Sequence, residues 1–152
     1  MRAAGNTIWC GYSKSGGSTV QAGAGVRYTG VTIAHGATID AATLTTERVG
    51  GVGSPTATIY GDDADNCNDF AAGERIRNLT KTSASTSFNV ATGVQTHNVA
   101  AIIQEIIDRA GWASGNAVRL GVFAGTGAGG WRGVYLATDA HPTAQSPKLD
   151  IT

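Results

Sequence analysis

The densest set of metal-ligating side chains lies between Asp62 and Phe70, which reads Asp-Asp-Ala-Asp-Asn-Cys-Asn-Asp-Phe. Asp62, Asp63, Asp65 and Asp69, helped by Asn66 and Asn68, offer the hard oxygen donors that a calcium ion gathers, about six to eight at a time. The run lacks the central glycine and terminal glutamate of an EF-hand loop, so a solvated acidic turn competes with the calcium site. If any metal binds this chain, it is expected here.

The other reactive side chains do not form a known catalytic pattern. His35, His97 and His141 are far apart in sequence and each falls in a loop, where a surface or capping role is expected. Neither Gly-x-Ser-x-Gly nor His-Glu-x-x-His occurs, so neither a nucleophile elbow nor a zinc helix is predicted. Glu105 and Asp108 share the polar side of one helix and read as a solvated face rather than a carboxylate pair for acid–base chemistry. Gly125-Thr126-Gly127-Ala128-Gly129-Gly130 matches Gly-x-Gly-x-x-Gly, but a dinucleotide site needs a helix to open at the last glycine. A strand pattern from Trp131 to Leu136 follows instead, so the glycines read as a flexible hairpin. The sequence predicts no catalytic residues and no enzyme.

Trp9, Trp112 and Trp131 are the large aromatic side chains. Trp131 beside Arg132, just past the glycine run, is the candidate binding surface, with burial at a subunit contact or in the core set against stacking on a sugar ring. Trp112 reads as a core plug. Cys10 and Cys67 are too few for a four-ligand zinc site or a disulfide scaffold. They read as two buried small side chains, with a bridge between them as the alternative.

Composition narrows the classes further. The 152 residues carry 11 basic and 11 acidic side chains, a net charge of zero. Nucleic-acid binding usually demands a basic face, and none is implied. Glycine contributes 22 residues, amid many Ala, Ser and Thr, which suits strands and tight turns. No apolar run reaches the ~18 residues of a membrane-spanning helix. Met1 to Asn6 lacks the apolar core of a secretory signal, which points to a product made in the cytoplasm.

One segment must organise the rest. From Asn98 to Gly111, Val99, Ile102, Ile103, Ile106 and Ile107 recur at helical spacing and form one apolar stripe. Asn98 can accept a free first-turn N–H. Gly111 is placed to end the helix in a left-handed conformation. Ser114-Gly115-Asn116 then turns the chain into a strand. Four isoleucines cannot be buried within one helix, so strands must cover them.

Strands are expected at Thr7–Ser13, Gly25–Ile33 with a bulge at Gly30, Thr38–Val49, Pro55–Gly61, Arg75–Thr82, Ser85–Val90, Ala117–Ala124, Trp131–Ala137 and Lys148–Ile151. Lys14–Gly23 and Arg48–Ser54 read as loops, and Ala91–Thr96 as a link into the helix. Short strands with turn signals every 8–14 residues favour an antiparallel sandwich over βαβ units. The predicted fold is mainly β, an antiparallel sandwich with one short helix packed on it. Residues 1–24 form an N-terminal strand, arm and loop of the same single domain, and residues 25–152 the sandwich.

Three stretches carry a resemblance: Val31 to Ala42, which reads Val-Thr-Ile-Ala-His-Gly-Ala-Thr-Ile-Asp-Ala-Ala; Ile59 to Asn66; and Ile103 to Ala117, with its Gly-Trp-x-x-Gly-Asn. Over residues 25–152 the order of these signals resembles the jelly-roll, carbohydrate-binding-module type of β-sandwich found in bacterial and phage surface proteins. The Gly-Trp-x-x-Gly-Asn part is the more specific. The resemblance implies a sandwich with a surface role. In a stand-alone form it resembles a phage capsid decoration or tail protein, located in the virion. Its expected partner is the major capsid protein lattice or another virion protein, and the chain itself is expected to form a homo-oligomer, guessed as a trimer. The alternative is a carbohydrate-binding or adhesin module at the cell surface, with glycan as ligand. No cofactor is predicted beyond the Ca²⁺ option, and neither nucleic acid nor membrane.

Overall fold

The computed structural model describes residues 7–15, 18–70, 76–124, 132–137 and 146–152, with side chains for 23–51, 53–70, 76, 78–123 and 146–152. Nine strands and one α-helix occur among them, in the order β1 (Thr7–Ser15), β2 (Ser18–Tyr28), β3 (Ala42–Val52), β4 (Thr56–Asp62), β5 (Lys81–Asn89), β6 (Gly93–Asn98), α1 (Ala100–Ile107), β7 (Val118–Ala124), β8 (Arg132–Ala137) and β9 (Lys148–Ile151). A 3-10 turn, Ile76–Asn78, precedes β5. The described pairings are all antiparallel and form two sheets packed together.

One sheet runs β5-β4-β7-β2 and the other β2-β1-β8-β3-β6, with β9 beside the start of β3. Strand β2 belongs to both. Its first half pairs with β1 and its second half, from Gly23, with β7, so the chain turns the corner between sheets within one strand. The predicted mainly-β architecture is the observed one.

Helix α1 packs on β5, β4 and β3. Ile102, Ile103, Ile106 and Ile107 are all fully buried, together with Leu44 of β3, Ile59 of β4 and Leu120 of β7. The helix is eight residues long, too short to be stable alone in water, so this burial is what holds it. Gly61 lets it sit close. A Cβ there would lie 2.7 Å from Ile106 Cδ1 and 2.9 Å from Ile102 Cγ2. Gly61→Ala is therefore expected to destabilise the chain by about 1–3 kcal/mol, the usual cost of overpacking, as a lowered urea midpoint with unchanged slope.

Asn98 Oδ1 accepts the Ala100 N–H at 2.9 Å, but the N-cap is Val99, one residue after the predicted Asn98. Gly111 does not adopt the predicted left-handed conformation; the helix has already ended at Ile107, with Asp108 still right-handed. A side chain at 111 is excluded for another reason, since its Cβ would collide with the Asp65 carboxylate. Trp112 is buried as predicted, and its Nε1 donates to Ile33 O at 3.0 Å.

Several strand boundaries differ from expectation. Lys14–Gly23 is not a loop: Ser18 to Ala22 pair with Ser15 to Gly11 as a hairpin. Ladder hydrogen bonds need backbone rather than apolar side chains, so a Ser/Thr/Gly composition concealed the strand. Residues 29–41 form no ladder, against two predicted strands. Val31, Ile33, Ala37 and Ile39 are half-buried against the core, and the backbone bonds go to other partners. Gly115 N donates to Val31 O, Val31 N to Asn116 O and Gly36 N to Ile107 O. Gly30 has a positive φ and lies outside any ladder, where a bulge was expected. Arg48–Val52 continues β3, with the register shift at Arg48/Gly50. Arg75–Thr82 yields the 3-10 turn and the first residues of β5, which continues through Ser85 as a single strand. Ala91–Thr96 contributes most of edge strand β6 rather than a link.

Candidate functional site

The acidic segment is where the described polar side chains converge, and its aspartates are matched to arginines. Asp62 ends β4 and is buried. Its Oδ2 accepts from Arg119 Nη2 at 2.6 Å and Arg119 Nε at 3.0 Å, Arg119 being a buried residue of β7. One strand of the sheet therefore grips the next through a two-pronged ion pair. Arg119 also lies over the Phe70 ring, 5.1 Å from its centroid. Phe70 is half-buried beside Gly25 of β2.

A second clasp joins the loop to the end of the helix. Arg109 Nε donates to Asp65 Oδ1 at 2.7 Å, and Arg109 Nη1 pairs with Asp63 Oδ1. The Asp65 hydrogen bond first, and the Asp63 bond next, raise the guanidinium pKa further above its usual value. The loop's amides are matched too. Asn66 Oδ1 accepts the Ala117 N–H at 2.9 Å, and Asn116 Nδ2 donates to Asp65 O at 3.0 Å. Arg27 Nε donates to Cys67 O at 2.9 Å. Asp69 is exposed, with Oδ1 accepting the Phe70 N–H.

Asp62, Asp63 and Asp65 thus point at two different arginines, while Asp69 faces solvent. Among the described residues, no group of three or more His, Cys, Asp or Glu side chains is placed to hold a metal ion. Only Asp62 of the four aspartates is buried; Asn66, Asn68 and Asp69 are exposed, as in a solvated turn, while Asp62, Asp63 and Asp65 are engaged by arginines. They fasten a loop to β7 and to the helix end.

Cys67 is a free thiol, buried beneath this loop. Burial foremost, then the neighbouring Asp62 charge, pushes its pKa from 9.0 up to about 11. That change leaves about a hundredfold less thiolate at neutral pH, and thiolate is the reactive form. Peptide-resolved alkylation at pH 8 is expected to spare Cys67 in the native chain and to modify it fully in denaturant. Native labelling as fast as that of the unfolded chain would refute this. Cys10, its sequence-predicted companion, has no described side chain.

The polar side of the helix is also more than a solvated face. Glu105 Oε1 and Oε2 accept the consecutive Ser83 and Ala84 N–H groups, each at 2.7 Å. These two amides lie where the β4–β5 register shifts, between Tyr60↔Ser85 and Asp62↔Lys81. The bulge turns both donors outward on an edge strand, and one carboxylate covers them. Gln104 donates to Ala37 O and to Asp108 Oδ1 and accepts the Ile39 N–H, tying residues 37–39 to the helix. A shallow, open groove runs along this face past Asp63, Ala101 and Arg109. Sequence periodicity identified this face as polar, but apart from the Gln104–Asp108 pair the partners lie 21 or more residues away and leave no local signal.

The histidines separate. His35 is exposed in a turn, and His141 lies outside the described residues. His97 is not a loop or surface residue: it is buried on β6, with Nε2 3.0 Å from Thr46 Oγ1. Trp131, the Gly125–Gly130 run and the Met1–Asn6 arm lie outside the described residues, and Arg132 is placed only by its backbone at the start of β8. No helix among the described residues is long and apolar enough to cross a membrane. No protein-family model, no curated protein and no solved structure matches the chain.

Proposed function

We propose that this chain is a non-enzymatic structural protein of a phage virion, a capsid decoration or cement protein that stabilises the shell through protein–protein contacts. The observation that supports the reading is where its charge goes. Asp62, Asp63, Asp65, Glu105, Arg109 and Arg119 bind parts of their own fold together. The outward residues of the edge strands are largely small and uncharged. Ser83, Ser85, Ser87 and Asn89 of β5, and Val94, Thr96 and Asn98 of β6, are exposed. Such a surface suits shape-matched contacts on a repeated lattice, where association depends little on electrostatic steering. Lattice symmetry axes favour a closed oligomer, and a trimer is the expected form. Mass spectrometry of purified particles tests the proposal. The chain should appear in fixed ratio to the shell protein; recovery only from host cytosol or culture supernatant would overturn it.

A second reading, sugar binding, draws on one feature of the outer sheet face. The half-buried rings of Tyr60 and Phe123 meet edge-on at 5.7 Å, with Lys81 Nζ 4.3 Å from the Phe123 centroid. Rings on a sheet face beside hydroxyls such as Thr58 and Ser87 are the groups that stack on and hydrogen-bond a glycan. Clear glycan-array binding lost in Tyr60→Ala would favour this reading over the virion role.

A further inference from the structure

The open side of the sandwich is closed by a histidine. Strands β5 and β6 are the two ends of the hydrogen-bonded strand path, so they are edges of opposite sheets. They are tied by few bonds. Thr86 Oγ1 donates to Asn98 O at 2.6 Å, and the Gln95 side chain bonds Asn89 O and the Ala91 N–H. Between them the rings of Phe88 and His97 pack with centroids 3.9 Å apart. His97 is buried, and its one described hydrogen bond is to the Thr46 hydroxyl on β3.

This is a poor place for a cation. Among the described residues, the side chains facing the same interior are apolar or uncharged on β4 (Ala57, Ile59), β5 (Ala84, Thr86, Phe88), β9 (Leu149, Ile151) and the buried side of α1. The charged exception is Arg48 of β3, buried on the same inward-facing side as Leu44 and Thr46. Arg48 Nη1 donates to Val90 O in the turn between β5 and β6, and its other nitrogens donate to Gly50 O and Gly51 O. A proton on His97 therefore creates a second cation in a space that already holds one, with no carboxylate described beside it. Among the described residues strand β6 is paired on one side only, to β3, so moving it outward is the least costly way to hydrate the ring.

We propose that the β5–β6 seam is an acid-operated latch: when His97 takes up a proton, its packing against Phe88 is lost and β6, with the turn before it, loosens while α1 stays seated. Desolvation lowers the His97 pKa from its ordinary 6.5, so the closed seam holds the ring neutral. The open seam takes up its proton as the pH falls through 6.5, and the closed seam only at a lower pH. Its opening constant then rises about tenfold per pH unit, until the closed form also titrates.

Hydrogen exchange measured by mass spectrometry at pH 7.5 and pH 5.0, corrected for intrinsic exchange, tests the latch on the full chain. Peptides within residues 86–98 should lose protection several-fold at pH 5.0 while those covering 100–107 keep theirs. His97→Gln, which can still bond Thr46 but cannot charge, should abolish the difference. Equal protection of the seam at both pH values, an unchanged acid response in His97→Gln, or an even loss across the whole chain would each overturn the proposal. If His97→Gln does not fold, an NMR titration of the native chain decides. The His97 ring and the amides of 86–98 must shift together, below pH 6.5, and independent behaviour refutes the latch.

Discussion

Arg119→Met is expected to cost about 3–5 kcal/mol of folding stability, the penalty for leaving one partner of a buried ion pair without the other. Asp62 would stay in the sheet with its charge and lose two hydrogen bonds from the guanidinium. Methionine fills much of the same volume, so the loss reports charge rather than a cavity. Both side chains are less than one-tenth exposed, which removes the solvent screening that makes most surface pairs nearly neutral. A domain of this size has about 5–15 kcal/mol in total, so the variant should be marginal at body temperature. Urea unfolding followed by circular dichroism reads the effect; guanidinium chloride would screen the charges. Cys67, which lies under the same loop, should become alkylatable in the variant at neutral pH.

Ile103→Ala is the second large effect, at about 2–5 kcal/mol. Two contributions oppose each other. Alanine is the better helix former, by at most about 0.7 kcal/mol. Ile103 is fully buried against both sheets, so truncation loses the transfer energy of three carbons and leaves a cavity between elements that cannot close independently. Packing therefore wins. The test discriminates: a helix held by its own propensity would gain stability from the substitution, and one held by the sandwich would lose it.

The helix and β4 were legible in the sequence for the same reason. Val99, Ile102, Ile103, Ile106 and Ile107 keep one period, and Ala57 and Ile59 keep another, so burial imposes a local pattern. Residues 29–41 show how that inference fails. Val31, Ile33 and Ile39 do bury one side, but alternation reports a buried side and says nothing of a ladder partner. The backbone there bonds to the helix end and the Ala113–Asn116 turn. The opposite error hid the first half of β2, where Ser18 to Ala22 pair with β1 although the Ser- and Gly-rich stretch reads as a loop. The acidic segment was legible as a cluster but not in its role. Asp62 and Arg119 are 57 residues apart and Asp63 and Arg109 are 46 apart, so nothing local distinguishes a clasp from a cation loop. Glu105 was equally silent, because its partners are two backbone N–H groups that any sequence carries.

That these charges serve the fold is tested most directly by a double-mutant cycle on Asp62 and Arg119 in urea, with and without Ca²⁺. Asp62→Leu and Arg119→Met should each cost about 3–5 kcal/mol, while the double variant, with no buried charge left, costs less than either alone. Ca²⁺ should leave all four proteins unchanged. Small, additive costs, or a Ca²⁺-induced stabilisation of the parent that Asp62→Leu abolishes, would contradict it and return the acidic loop to cation binding.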